Sequence, residues 1–334
     1  IAVHLSSPIN YKPMFSLRFA SIILALCSTT FGYSQFTDVI NSNRPGKSMA
    51  AFSVGQSVFQ VEAGVFGISE KNDAIDQKGF GLGSELSLRY GAFLEQLEFN
   101  LDLQYQYSNY EVADLKYKIS GLRQMTVGAK YLVYDPYKNF ERKPSIHSWK
   151  ANHKFIWRQL IPAVGIYAGA NLNLFNDGFA YEDESKISAK AAVITQNQFG
   201  KHVLVMNFQG DKIGSDYMVL GGIITLTRGF NEQWSGFVEA QGYKSDYRND
   251  IAFRLGAAYL IAENLQVDAS IGSNIKDNPA YMIAGLGVSW RFDENYKEVF
   301  LRIKNDDDKK GKDKKDKKKK NKRIDEVGGD NLPE

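Results

Sequence analysis

The sequence predicts an all-β protein: an antiparallel transmembrane outer-membrane β-barrel of about 12 strands, followed by a disordered basic C-terminal tail. Three observations lead to this expectation. Segments of about ten residues alternate apolar and polar side chains, which is the period of a strand with two different faces. A secretory signal also stands near the start of the chain. The 13% aromatic content, with only 8 Pro, favours strands over helices.

The N-terminal region predicts export. From Met14 a positive residue, an apolar core and small residues before Gln35 form a secretory signal peptide over residues 14–34. Residues 1–13 precede this methionine, and we interpret them as a non-native upstream extension. If Cys27 leaves with the signal, the mature chain has no cysteine and its fold is held without disulfide bonds.

The predicted barrel covers residues 58–292, after a periplasmic lead-in over residues 35–57. Residues 97–108 show the pattern clearly, with Leu, Phe and Tyr on one face and Glu, Asn, Asp, Gln and Ser on the other. Because a barrel in a membrane must pair every backbone polar group, we expect the last strand to pair with the first. The twelve predicted strands are 58–67, 83–91, 97–108, 125–134, 163–174, 187–197, 203–211, 218–228, 234–243, 251–261, 265–274 and 282–292.

The connections between these strands support a barrel over a soluble β-sandwich. Short turns alternate with longer charged segments such as 69–79 and 109–122, as in outer-membrane barrels. A sandwich also alternates polar and apolar residues, but strands of about ten residues have the length of a tilted bilayer crossing. The last strand ends at Phe292, and we expect this aromatic end to lie at the membrane interface.

Ionisable side chains stand in mid-strand on the polar faces, which a barrel would direct into its lumen. Two interpretations are open. The charges could select or bind solutes in a water-filled channel, or they could pair with one another and fill the interior. The candidate lumen-lining residues are Glu85, Arg89, Glu98, Asp102, Lys130, Glu239, Arg254, Asp268 and Arg291.

Two segments stand apart from the strand pattern. The tail, residues 293–334, contains a run from Lys304 to Arg323 with 12 Lys or Arg and 5 Asp, a net charge of +7. It is interpreted as a disordered spacer, or as a tether to a periplasmic polyanion or protein partner. Export makes nucleic acid an implausible partner. Residues 135–162 mix aromatic and cationic side chains, which suits an interfacial loop or a partner-docking or gating element.

The sequence gives little indication of an enzyme. None of the 4 His residues belongs to a Cys/His cluster with metal-ligand spacing, and we expect no cofactor and no metal. The glycine-containing stretch at 81–85 falls on a predicted strand and not before a helix, so it does not predict a phosphate site. His202 lies near a strand, but no serine is placed on its face as a hydrolase would require.

The start of the mature chain resembles a known family. Residues 41–46 form an Asn-x-x-Arg-Pro-Gly element, and Gln60 and Glu62 form a Gln-x-Glu pair in the first strand. These features resemble outer-membrane barrels named for the MetA pathway of phenol degradation, and residues 134–155 are similar to the version found in Bacteroidota. The resemblance covers roughly residues 36–292 and implies a 12-stranded barrel with a transport function. It fixes no substrate.

These observations predict a transporter or channel that passes an unidentified small solute through the lumen. The expected location is the Gram-negative outer membrane, with membrane lipid around the barrel and both termini in the periplasm. The alternative is a non-conducting accessory or structural subunit of an outer-membrane assembly or secretion complex. Replacing the lumen charges in pairs tests the channel, because solute passage should then change. Co-purification of partners in mild detergent, lost when residues 293–334 are removed, would indicate the accessory subunit.

Overall fold

The computed structural model describes residues 40–113, 115–136, 157–174, 178–180, 183–247 and 249–293. These residues form a closed barrel of twelve antiparallel strands in which each strand pairs with its neighbours in sequence. The strands are β1 (Phe59–Asn72), β2 (Gln77–Gly91), β3 (Leu97–Val112), β4 (Leu115–Tyr134), β5 (Ala163–Leu172), β6 (Ile187–Phe199), β7 (His202–Ile213), β8 (Val219–Gly229), β9 (Trp234–Lys244), β10 (Asn249–Ala262), β11 (Leu265–Asn274) and β12 (Ala280–Phe292).

The first and last strands close the barrel, as the sequence predicts. Phe59 lies opposite Phe292, and Gly67 lies opposite Ala284, so the pairing runs along the predicted length of both strands. We call the end of the barrel where Phe59 and Phe292 meet the terminal end, and the opposite end the distal end. Closure leaves no unpaired strand edge, which is the condition for a sheet to cross hydrocarbon.

Side chains alternate along the strands as predicted, with apolar residues on the outside of the barrel and polar residues on the inside. On β12, Leu286 and Trp290 are exposed on the outer surface, whereas Ser289 and Arg291 are buried. On β3, Phe99 is exposed and Glu98 is buried. The outer wall is therefore suited to lipid contact, and the ionisable side chains lie toward the lumen.

An aromatic row marks the terminal end of the outer wall. Phe292, Phe59, Tyr90 and Phe99 lie side by side across β12, β1, β2 and β3, and all four are partly exposed. The rings of Phe59 and Phe292 are 6.1 Å apart between centroids. Such a row is typical of the interfacial girdle of a membrane barrel, and it lies where the sequence places the aromatic strand end.

The distal connections differ from the prediction. Two segments that we expected to be long polar loops, 69–79 and 109–122, continue mostly as paired strand, so that only residues 73–76 and 113–114 separate the strands. Their polar residues are compatible with a strand because a ladder supplies backbone hydrogen bonds wherever it extends, with or without lipid beside it. Predicted strand bounds are accordingly too short at several distal ends.

The lead-in is the largest correction. Residues 40–57, which we expected in the periplasm, lie inside the barrel, where they hydrogen-bond to inward side chains of β1, β2, β3, β4, β6, β7, β9 and β11. We call residues 40–57 the plug segment. Alternation predicts only the strands of the wall, and this segment has no strand periodicity, so the sequence pattern does not predict its place in the lumen.

Several expectations fall outside the described residues. These are the upstream extension and signal peptide over 1–34, the basic tail after residue 293, and residues 137–156 of the long connection between β4 and β5. The chain divides into two compact units, with the barrel in the unit that ends at Tyr296. Among the described residues, no helix has the length and apolar character needed to cross a membrane.

Candidate functional site

The plug segment enters and leaves the lumen at the terminal end. Its first residue, Ile40, donates its backbone N–H to the carbonyl of Glu263 in the β10–β11 turn, at 2.8 Å. Its last residue, Ser57, donates to the carbonyl of Gly91 at the end of β2, also at 2.8 Å. The residues between these two anchors therefore form a loop that projects into the lumen from one end.

Two cations of the plug segment pair with acids on the wall. Arg44 bonds to Asp268 on β11, with Nη2–Oδ1 at 3.2 Å and Nε–Oδ2 at 3.3 Å, and to Glu85 on β2 at 3.1 Å. Lys47 forms an ion pair with the second oxygen of Glu85. Such bidentate, charge-assisted bonds fix orientation as well as position. The plug segment is thereby bound to two strands, β2 and β11, that are not neighbours in the barrel.

The sequence makes room for Arg44 with a pair of glycines. Gly64 on β1 and Gly287 on β12 lie opposite one another in the closing ladder. A Cβ added to either residue would overlap the guanidinium of Arg44. Because any larger residue would displace the cation, this glycine pair is a notch in the wall shaped for one arginine.

Glu239 on β9 binds the backbone of the next turn of the plug segment. Its carboxylate accepts the N–H of Lys47 at 2.9 Å and that of Ser48 at 3.3 Å, together with the Thr225 hydroxyl at 2.7 Å. Gly46 packs so closely that a Cβ there would lie 2.8 Å from a Glu239 oxygen. Successive N–H groups directed at one carboxylate form a small anion-binding concavity.

The second half of the plug segment contacts a less polar wall. Met49 and Asn207 on β7 exchange two hydrogen bonds, at 2.6 and 3.0 Å, so the amide side chain imitates a strand partner. Ala51 is fully buried in an apolar cluster with Leu132, Ala163, Tyr167, Ala192, Ile194 and Val205. The inner faces of β4 to β7 are thus partly apolar, and they match the apolar part of the plug segment.

A buried charge network lies beneath these contacts at the terminal end. Arg89 binds Glu62 and Glu98 at 2.9 Å, and Lys130 lies 3.1 Å from Glu98. The side chains of Arg89, Glu98 and Lys130 are fully buried. Lys130 also donates to the carbonyl of Ala50 at 2.9 Å, so the network both fills the barrel and holds the plug segment. Fully buried charges need such complete pairing.

A cavity of about 720 Å³ occupies the lumen on the distal side of the plug segment. Arg44, Lys47 and Met49 contribute to its lining, and so do Asn72 and Lys276 near the distal turns. Enclosure lowers the pKa of the Lys47 ammonium below its ordinary value; the Glu85 carboxylate raises this pKa, and nearby Arg254 and Arg44 lower it. Lys47, Arg44, Arg254 and the Glu85 carboxylate therefore interact with one another where the plug segment meets the cavity.

The nine predicted lumen residues all belong to strands of this wall, but they divide between two surroundings. Arg89, Glu98 and Lys130 are sealed in the buried network. Arg291 is also buried and binds Asp293 at 2.9 Å. The remaining five adjoin the plug segment or the cavity: Glu85, Asp102, Glu239, Arg254 and Asp268.

The sequence analysis did not predict the plug-segment residues that bind the wall acids. Arg44 and Lys47 lie before the first strand, so the alternation pattern did not include them. One signal was available: acids outnumber bases among the nine candidate lumen residues, and closed interiors need balanced charge. The missing cations are on the plug segment. Among the described residues, no group of three or more His, Cys, Asp or Glu side chains could hold a metal ion.

Comparison with known proteins identifies the family and the fold. A family model described as "Putative MetA-pathway of phenol degradation" matches residues 42–292. An outer membrane channel from Pseudomonas putida F1 is similar in structure at a TM-score of 0.50 and 13% sequence identity, over 74% of this chain and 99% of that chain. This similarity shows the fold of an outer-membrane barrel and no more. No curated protein sequence matches the chain.

Two further solved structures are similar at lower scores. The translocator domain of the autotransporter NalP from Neisseria meningitidis has a TM-score of 0.42 and 11% identity, over 71% of this chain and 89% of that chain. The toluene transporter TodX from Pseudomonas putida has a TM-score of 0.41 and 8% identity, over 78% and 98%. The residue element behind the family resemblance, 41–46, lies within the plug segment of this structure.

Proposed function

We propose that this chain, which belongs to the MetA-pathway-of-phenol-degradation family, is an outer-membrane channel or transporter whose plug segment closes the lumen to small solutes. One observation carries the proposal. A cavity of about 720 Å³ occupies the lumen, and on the terminal side it is bounded by a segment that is not a strand of the wall. Moving that segment would extend the cavity toward the terminal end.

The way the plug segment is bound supports movement without damage to the barrel. The wall is held by continuous backbone ladders, which a channel cannot open without exposing unpaired groups to lipid. The plug segment instead meets wall side chains such as Glu85, Glu239 and Asn207. These bonds can exchange for water in a wet lumen, so closed and open arrangements can interconvert.

The proposed orientation places the terminal end in the periplasm, because the first and the last strand of the barrel both have their outer ends there. The cavity then faces the outside of the cell, and the plug segment closes the periplasmic side. Outer-membrane lipid surrounds the apolar outer wall. In the closed arrangement the charged side chains of the wall hold the plug segment in the lumen. When the plug segment leaves, the same side chains line the open lumen.

The experiment compares the full chain with a variant in which residues 41–56 are replaced by an equally long Gly/Ser segment. Single-channel conductance is recorded in planar bilayers, and solute flux is followed by liposome swelling. We expect few or brief openings for the full chain and steady, salt-dependent steps for the variant. If a demonstrably folded variant conducts no better than the full chain, the proposal is wrong and a non-conducting accessory role becomes the better explanation.

A further inference from the structure

We infer that the lumen cavity binds a small organic anion, an apolar body with one carboxylate or phosphate group, through Arg254, and that this binding loosens the plug segment. The inference rests on the proposed channel function for its second half only. The first half is an equilibrium binding site, which can be tested on a closed barrel.

Arg254 has the position that an anion-binding residue of this cavity needs. It lies on β10 and lines the cavity, and in the described part of the chain its guanidinium forms no hydrogen bond or ion pair with another residue. Its cross-strand neighbour is Glu239 on β9. That carboxylate is already occupied by two backbone N–H groups of the plug segment, the Thr225 hydroxyl and the Gln241 amide.

The other nearby acid is occupied as well. Both oxygens of Glu85 are bound by the plug segment, one by Arg44 and the other by Lys47. Arg254 therefore faces the cavity as a guanidinium whose neighbouring carboxylates serve other donors. A guanidinium presents paired N–H donors that fit the two oxygens of a carboxylate or phosphate group.

The cavity also suits the apolar part of such a ligand. Ile68, Ile223 and Ile283 line it, and the first two side chains are buried. These residues belong to inward positions where the wall is otherwise mostly polar. A volume of about 720 Å³ falls in the range of small-molecule sites, and these isoleucines offer a short apolar chain a contact within an otherwise mostly polar lining.

The coupling follows from the arrangement of charges around Glu85. Lys47 and Arg254 interact electrostatically and share this acid as a neighbour. An anion bound to Arg254 would also attract Lys47 and compete with Glu85 for it. A ligand that weakens a contact of the closed state shifts the equilibrium toward the open state, in proportion to its differential affinity.

The test uses hexanoate and hexyl phosphate as probes, with hexan-1-ol as the neutral control of equal apolar length. Binding to the folded full chain in detergent is measured by calorimetry for wild type, Arg254→Gln and Arg123→Gln. Arg123 lines the same cavity but donates to Gln106, which makes it the matched control. We expect at least one anion to bind wild type and Arg123→Gln, with affinity about tenfold or more lower in Arg254→Gln.

The two anions distinguish a carboxylate preference from a phosphate preference. Absence of binding, equal binding of hexan-1-ol, or unchanged affinity in Arg254→Gln would overturn the site. Conductance then tests the coupling: the bound anion should raise the open probability of wild type and leave that of Arg254→Gln unchanged. Binding without any change in conductance would refute the coupling. A folded Gly/Ser-plug variant that does not conduct would refute the channel function, but it would leave the binding site unaffected.

Discussion

The guanidinium of Arg44 lies 3.2 Å from Oδ1 of Asp268, a residue 224 positions later in the chain. Arg44 belongs to the plug segment and Asp268 to β11, so one bidentate contact joins the occluding segment to the wall. The same guanidinium fits over Gly64 and Gly287, where the first and last strands meet. The strand pair that closes the barrel therefore also holds the arginine that binds the plug segment in the lumen.

Alanine at Gly64 or Gly287 should open the lumen. A Cβ at either position overlaps the Arg44 guanidinium, so the cation must leave its notch. Loss of one charge-assisted contact of about 1.5–3 kcal/mol corresponds to roughly a tenfold or greater rise in open probability, measured by single-channel recording.

The control for this pair is Gly67→Ala. Gly67 lies on β1 as well, but a Cβ there would lie 3.8 Å from Leu82 and 4.0 Å from the Gly81 carbonyl, which are ordinary contact distances. It should conduct like wild type. Equal behaviour of all three alanine variants would show that the notch does not hold the plug segment.

Arg89→Gln should destabilise the folded barrel strongly. The substitution leaves Glu62 and Glu98 buried without the guanidinium that joins them. Removing one partner of a buried ion pair costs about 3–5 kcal/mol in the free energy of unfolding. Urea unfolding in liposomes measures the difference.

Arg228→Gln serves as the comparison for stability. The Arg228 guanidinium lies 5.8 Å from the centre of the Phe230 ring and has no part in the buried network. Its loss should change stability by about 0.5 kcal/mol or less, the usual effect of a surface substitution. If Arg89→Gln were no worse than Arg228→Gln, the buried network would not be a stabilising element.

Glu239→Ala should release the turn of the plug segment around Lys47. The backbone N–H groups of Lys47 and Ser48 lose their acceptor, which costs about 1–3 kcal/mol and favours the released state. Trypsin cleavage after Lys47, followed by mass spectrometry, should accelerate by about tenfold.

Glu111→Ala is the matched acid control, because within the described part of the chain the Glu111 carboxylate forms one exposed 3.7 Å contact, with Lys116. Its cleavage rate after Lys47 should equal that of wild type. Glu239→Gln keeps one carbonyl oxygen and should lie between wild type and Glu239→Ala. A cleavage rate in Glu239→Ala no faster than in wild type would count against the role of this carboxylate.

The barrel was predictable because a period of two is a local signal. Leu286, Trp290 and Arg291 reveal by spacing alone which face each occupies, and each strand repeats the signal independently. Strand ends were less predictable. The polar residues of 109–112 look like loop residues, yet they continue the β3–β4 ladder beyond the apolar band.

The plug segment could not be predicted in the same way. Arg44 meets residues of β2 and β11 that are far away in sequence, and no local pattern encodes such contacts. The strand pattern predicts inward positions for Glu85 and Asp268, and in the structure both side chains contact the plug segment. Whether they faced water or another part of the chain depended on a segment without periodicity, which only the three-dimensional arrangement reveals.

The most direct test of the account is the open probability of the Arg44→Gln/Lys47→Gln double variant in planar bilayers, beside wild type and Lys116→Gln. Lys116 is an exposed lysine on the distal hairpin, so it controls for loss of positive charge. The double variant removes the cations that bind Glu85 and Asp268. We expect long, salt-dependent openings in the double variant and rare openings in the other two proteins. A folded double variant that stays as silent as wild type would contradict it.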